Sequence, residues 1–141
     1  MRMLFIGNSY THFNDMPGIF RELSASAGHE VEVQSRTDGG KSLEWHWYNR
    51  GAVPLIDEGG RDFVSLQDQS FQTLALREKF DDYMNRFCAR VAAAGAKPVL
   101  YMTWARRHLP GDQETITEAY LGAAKRNGAL LAPAGVAWGR L

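Results

Sequence analysis

Met3-Leu4-Phe5-Ile6-Gly7-Asn8-Ser9-Tyr10-Thr11 stands near the start of the chain and decides how the rest is read. Four apolar residues with no polar interruption describe a strand covered on both faces, as in a parallel sheet. Gly7 permits a sharp turn where that strand ends. Asn8, Ser9 and Thr11 then fall on the loop leading to the next helix. In open α/β sheets ligands bind beyond the carboxyl ends of the strands, which places Ser9 where chemistry is usually done. A serine after a strand also caps helices and closes turns, so position alone leaves both readings open.

Outward from this strand, helical and extended patterns alternate. Asp15 is an N-cap and Pro17 an early-turn residue for a helix over Met16 to about Ala27, ended by Gly28. Glu30 to Ser35 alternates as a half-buried strand near an edge. Thr37 to Ser42 is a loop by composition. Leu43 to Arg50 predicts a short helix, and Val53 to Asp57 a second. Asp62 to Gln67 is the third strand. Glu78 to Ala94 is the clearest helix, with Phe80, Tyr83, Met84, Phe87, Cys88 and Val91 on one face. Cys88 lies inside that stripe and reads as packing. Val99 to Thr103 is a fourth strand, followed by a polar loop over 105–112 and a helix from about Glu114 to Asn127. Ala129 to Ala132 is a weak fifth strand.

Strands alternating with helices predict a single domain over residues 1–141. The fold class is α/β: a three-layer α/β/α arrangement on a flavodoxin-like parallel sheet of order 2-1-3-4-5. A closing helix after the last strand is not legible. The expectation is that this final helix is missing and that an uncovered strip of sheet favours self-association.

Composition excludes several function classes. Lys plus Arg and Asp plus Glu are 16 each, a formal net charge of zero that argues against nucleic acid or anionic membrane as partners. No apolar run is long enough to cross a bilayer. Only Arg2 precedes the first strand as a basic residue, so no signal peptide is read and the expected location as written is the cytoplasm. The lone Cys88 excludes an internal disulfide. No His, Cys or carboxylate cluster has ligand spacing, so neither a metal nor any cofactor is expected.

Three segments fall at the carboxyl ends of the first three strands: Ser9, the Gly39-Gly40 loop, and Gln67-Asp68-Gln69-Ser70. A hydroxyl, flexible backbone amides and a side-chain amide on one rim are the inventory for acyl transfer, with an attacking group and donors for the developing oxyanion. These blocks resemble those of the SGNH (GDSL-type) hydrolases, a superfamily of esterases, lipases and carbohydrate deacetylases. Gly7-Asn8-Ser9-Tyr10-Thr11 is similar to the nucleophile block, with Asn8 and Tyr10 replacing its Asp and Leu. Gly40 falls at the oxyanion glycine of the second block, and Gln69 at the oxyanion asparagine of the third. Leu66 to Ser70 and Pro98 to Trp104 are similar to a bacterial branch of the family.

The resemblance implies a serine esterase or deacetylase acting on a small or carbohydrate O-acyl ester. Ser9 would be the nucleophile, and the Ser9 and Gly40 amides with the Gln69 side chain would form the oxyanion hole. Asn8, Gln67, His12 and His108 are additional candidates. The family's last block, Asp-x-x-His, has no counterpart, because none of His12, His29, His46 and His108 follows an aspartate by three residues. The chain looks C-terminally truncated before that block, and the expectation is an inactive or crippled enzyme. Full-length relatives could be exported.

Three other readings compete. Ser35 to Ser42 nearly fits a P-loop but lacks its first glycine. Gly7 to Thr11 as a flavodoxin-like phosphate or nucleotide loop is the alternative function. The third is a non-catalytic domain binding an acyl sugar, with Trp45, Trp47 or Trp104 stacking on the ring.

Overall fold

A computed structural model describes residues 1–49 and 51–141. Arg50, at the end of one expected helix, lies outside the described residues. The chain runs β1 (Arg2–Gly7), α1 (Ser9–His12), a 3-10 turn (Phe13–Asp15), α2 (Met16–Ser26), β2 (Glu32–Thr37), α3 (Leu43–Tyr48) and α4 (Ala52–Asp57). It continues through β3 (Phe63–Leu66), α5 (Gln72–Ala75), α6 (Arg77–Ala93), β4 (Lys97–Tyr101), α7 (Asp112–Asn127), β5 (Leu130–Ala132) and α8 (Ala134–Trp138). The five strands form one sheet in the order β2-β1-β3-β4-β5, every pair parallel.

β1 sits inside the sheet, between β2 and β3, and is buried from Met3 to Gly7, as an unbroken apolar run requires. Its alternate residues serve two cores. Leu4 and Ile6 join Val64, Leu66 and Leu100 under α6 and α7, against Phe80, Phe87, Ile116 and Tyr120. Met3 and Phe5 face α2, where Phe20 packs edge-on against Phe5 at 5.7 Å. The stripe expected on α6 is buried in full, Cys88 included. Burial alone pushes the Cys88 thiol up to about 12.

Several boundaries move because strand pairing sets them. β2 runs two residues later than its alternation suggests, since Glu32 N–H donates to Met1 O and the β1 register continues to Gly7↔Thr37. β4 starts at Lys97, paired with Phe63, instead of Val99. Thr103 lies outside it. Ser35 to Thr37 belong to β2, so the near P-loop is half strand and forms no phosphate loop.

Three short helices were not legible in the sequence: α1, α5 and α8. The last bears on the expected absence of a closing helix. Five residues after β5 do turn helical, but nothing of the length of α6 or α7 follows among the described residues. On the α2 side of the sheet, Val99, Tyr101 and Ala132 therefore stay half-buried, and Leu130 is 46% exposed.

Candidate active site

The site is built at the carboxyl ends of β1, β2 and β3, where one buried side chain ties two strands together. Gln67, fully buried, follows the last residue of β3. Its Oε1 accepts from the Asn8 N–H at 3.0 Å and from the Thr11 hydroxyl at 2.7 Å. Its Nε2 donates to Asn8 Oδ1 at 2.9 Å and to the Asp68 carbonyl at 2.6 Å. Both ends of the amide are satisfied, as a buried polar group requires.

Asn8 completes the arrangement. Its Oδ1 also accepts from Tyr10 N–H at 3.0 Å, capping α1, and its Nδ2 donates to Lys41 O at 3.1 Å. That last bond carries the β2–α3 loop to the Ser9 turn, and Asp38 N–H donates to Gly7 O at 3.2 Å. An aspartate at position 8 would bring a carboxylate oxygen against the Lys41 carbonyl, which is why an amide stands here. Gly7 is required by the same packing. A Cβ on it would lie 2.5 Å from the Thr11 hydroxyl oxygen and closer still to Gln67 Oε1.

Within this frame Ser9 is half-exposed at the first position of α1. Neither its hydroxyl nor its N–H has a hydrogen-bond partner among the described residues. Gly40 is the third residue of an Asp38–Lys41 turn closed by Lys41 N–H to Asp38 O at 3.2 Å. It has φ +69°, with open space above it and an unpaired N–H. That positive φ is what a type II turn asks of this position. Gln69 Oε1 accepts from Phe71 N–H at 2.6 Å, which fixes the amide's orientation and leaves Nε2 as an unpaired donor.

Asp68, 2% exposed, holds the third loop. Its Oδ1 accepts from Gln69 N–H at 2.7 Å and from Leu43 N–H at 2.9 Å. Burial raises its carboxyl to about 7, against the lowering effect of those two bonds.

None of the four histidines makes a hydrogen bond to the Ser9 side chain. His12 Nδ1 lies 3.1 Å from Thr37 Oγ1, and His29 and His108 are exposed. His46, which the sequence singled out for no role, is buried with Nε2 2.7 Å from Gly7 O. Burial lowers its pKa, so it stays neutral and donates to that carbonyl. Only its place in the α3 stripe, three residues after buried Leu43, could have signalled this.

Of the three tryptophans considered for stacking, Trp47 packs on Phe87 and Trp45 on His46. Trp104 alone adjoins Ser9: its ring meets Tyr10 at 4.6 Å and stacks on Trp138 at 5.3 Å. An open groove of ≈ 630 Å³ runs from Ser9 past Phe13, Met16, Tyr101, Trp104 and Trp138. On the other side of Trp104, a slot of ≈ 50 Å³ opens between the β3 and β4 loops.

No family model matches the chain. No curated protein sequence matches it either. Solved structures do. A candidate SGNH hydrolase from Slackia heliotrinireducens is 28% identical with a TM-score of 0.75, over 93% of this chain and 77% of that one. TesA is 17% identical with a TM-score of 0.78, over 94% and 78%. The esterase EstA from Pseudoalteromonas, in a structure inhibited by monoethylphosphonate, is 11% identical with a TM-score of 0.73, over 93% and 75%. The expected SGNH-hydrolase-like fold is thereby shown.

Proposed function

From this SGNH-hydrolase-like fold, we propose a serine esterase or deacetylase acting on a small or carbohydrate O-acyl ester. Ser9 Oγ attacks the ester carbonyl carbon, the hydroxyl proton passes to a base, and the carbonyl oxygen becomes an oxyanion. Collapse of that adduct expels the alcohol and leaves an acyl-serine for water to hydrolyse. The Ser9 N–H, the Gly40 N–H and Gln69 Nε2 would receive the oxyanion.

The observation that carries this reading is the set of three unpaired donors and an unpaired hydroxyl at the ends of β1, β2 and β3, beside a network in which the neighbouring polar groups are satisfied. A phosphate loop at Gly7 to Thr11 is not favoured, because three of its amides are spent and, of those from Asn8 to Thr11, the Ser9 N–H alone is left to meet an anion. Asn8 N–H goes to Gln67, Tyr10 N–H to the Asn8 side chain, and Thr11 N–H to Asn8 O.

No described histidine bonds to Ser9, so its hydroxyl stays protonated and weakly nucleophilic. We therefore propose that the 141-residue chain is inactive or nearly so. The test is intact mass after incubation with a fluorophosphonate, with and without added imidazole, on wild type and Ser9→Ala. Slow or absent labelling that imidazole accelerates, and that Ser9→Ala abolishes, is the expected result. Rapid labelling without imidazole would overturn the inactivity and turn attention to His12 and His108. No adduct in either condition would overturn Ser9 as nucleophile.

A further inference from the structure

The loop after β4 carries Arg106, Arg107 and His108 in succession, all exposed. Among the described residues none of the three makes a hydrogen bond or ion pair through its side chain. Arg2, Arg61, Arg77, Lys79, Arg86, Arg90 and Arg126 each reach a carboxylate within 3.4 Å. Arg21 and Arg140 are uncommitted as well, but neither lines the slot at this loop, whereas Arg106 does and Arg107 follows it directly.

The root of the loop is held. Ala105 N–H donates to Gln113 Oε1 at 2.8 Å, and Leu109 N–H to Arg106 O at 2.9 Å. Arg106 lines the small slot with Phe71, Leu74, Trp104, Leu109 and Ile116, so an exposed arginine stands at the edge of a largely apolar wall. Asp112 also lines it, and pairs with neither arginine. At ≈ 50 Å³ the slot has room for roughly four waters, or for a branch of a few heavy atoms. Trp104 forms the wall between this slot and the groove beside Ser9.

We propose that the β4–α7 loop recognises an oxyanion on the ester offered to Ser9: Arg106 and Arg107 bind a carboxylate or phosphate, and the slot takes a short apolar branch next to it. The substrate class is thus an anionic ester. A planar guanidinium binds either oxyanion through paired N–H bonds, and arginines already committed to carboxylates would not be available for it. The assignment rests on the Ser9 hydrolase reading for its functional meaning, but not for the binding itself.

The test therefore reads binding alone. Butyrate and its neutral isostere butyramide are titrated at low ionic strength into 15N-labelled wild type, Ser9→Ala and the Arg106→Ala/Arg107→Ala double variant, following shifts of Trp104, Ala105 and Leu109. Wild type and Ser9→Ala should prefer butyrate by about tenfold in Kd, and the double variant by less than about twofold, as expected for loss of a charge-assisted pair. Both substituted arginines are exposed, and an unchanged spectrum elsewhere confirms the fold. Absence of butyrate-dependent shifts at the slot, or an undiminished preference in the double variant, overturns the proposal. Competition by inorganic phosphate assigns the anion as phosphate, and failure to compete assigns it as carboxylate; both outcomes support oxyanion recognition. A preference for butyrate in a protein whose Ser9 never labels would leave this site standing and remove the hydrolase reading alone.

Discussion

The Ser9 turn depends on single atoms. Adding one methyl at Gly7 drives a Cβ into the Thr11 hydroxyl and Gln67 Oε1, neither of which lies at the end of a freely movable chain. Gly7→Ala should lower unfolding free energy in urea by about 2 kcal/mol, the usual cost of overpacking a tight site. Asn8→Asp should cost on the order of 2–3 kcal/mol in the same measurement, because it sets a buried oxygen against the Lys41 carbonyl and removes a donor. Asp68 gives a pH dependence whose sign is unusual for a carboxylate. Its folded value, about 7, lies above the ordinary 3.8, so the folded state binds the proton more tightly than the unfolded chain. Its contribution to stability is full at acid pH, falls as pH rises from about 4, and is lost above about 7. Over that window Asp68→Asn should flatten a decline on the order of a few kcal/mol, read from urea midpoints at successive pH values.

Among the elements, α6 binds the larger core together. Its Phe80 meets Tyr120 of α7 at 5.0 Å, and its Phe87 meets Trp47 of α3 at 5.2 Å. Phe87→Ala should cost about 3–5 kcal/mol, since no neighbour can refill a fully buried aromatic site. Cys88, on the same stripe and with its thiol held up to about 12, should resist iodoacetamide in the native state and react only on unfolding. The periodicity of α6 was legible because its face alternates every three or four residues against one continuous core. α1 and α5 were not, because four-residue turns have no periodicity and are held by contacts distant in sequence, such as Thr11 to Gln67.

For the whole molecule, the two faces of the sheet are unequally covered. One lies under α3, α4, α6 and α7, while on the other α2 reaches β1 and leaves Tyr101, Leu130 and the groove beside Ser9 open. Native protein should bind 1-anilinonaphthalene-8-sulfonate, with fluorescence that falls on adding urea. The self-association expected from this strip is a proposal that sedimentation velocity checks: weight-average mass should rise with concentration, and a single monomeric species throughout would overturn it. No helix among the described residues is long and apolar enough to cross a membrane.

The sequence by itself determined the sheet order, the placement of Ser9, Gly40 and Gln69 beyond three adjacent strands, and the buried stripe of α6. Each follows from local periodicity or from chain connectivity, which residue order encodes directly. The tertiary structure alone decided that Gln67 and Asn8 form the clamp around the Ser9 turn, that His46 is spent on Gly7 O, and that no described histidine hydrogen-bonds to Ser9. Those pairings join residues 39 and 59 positions apart. They exist only once the sheet has set β1 beside β3 and folded α3 back beneath the Ser9 turn, and no spacing in the chain announces them.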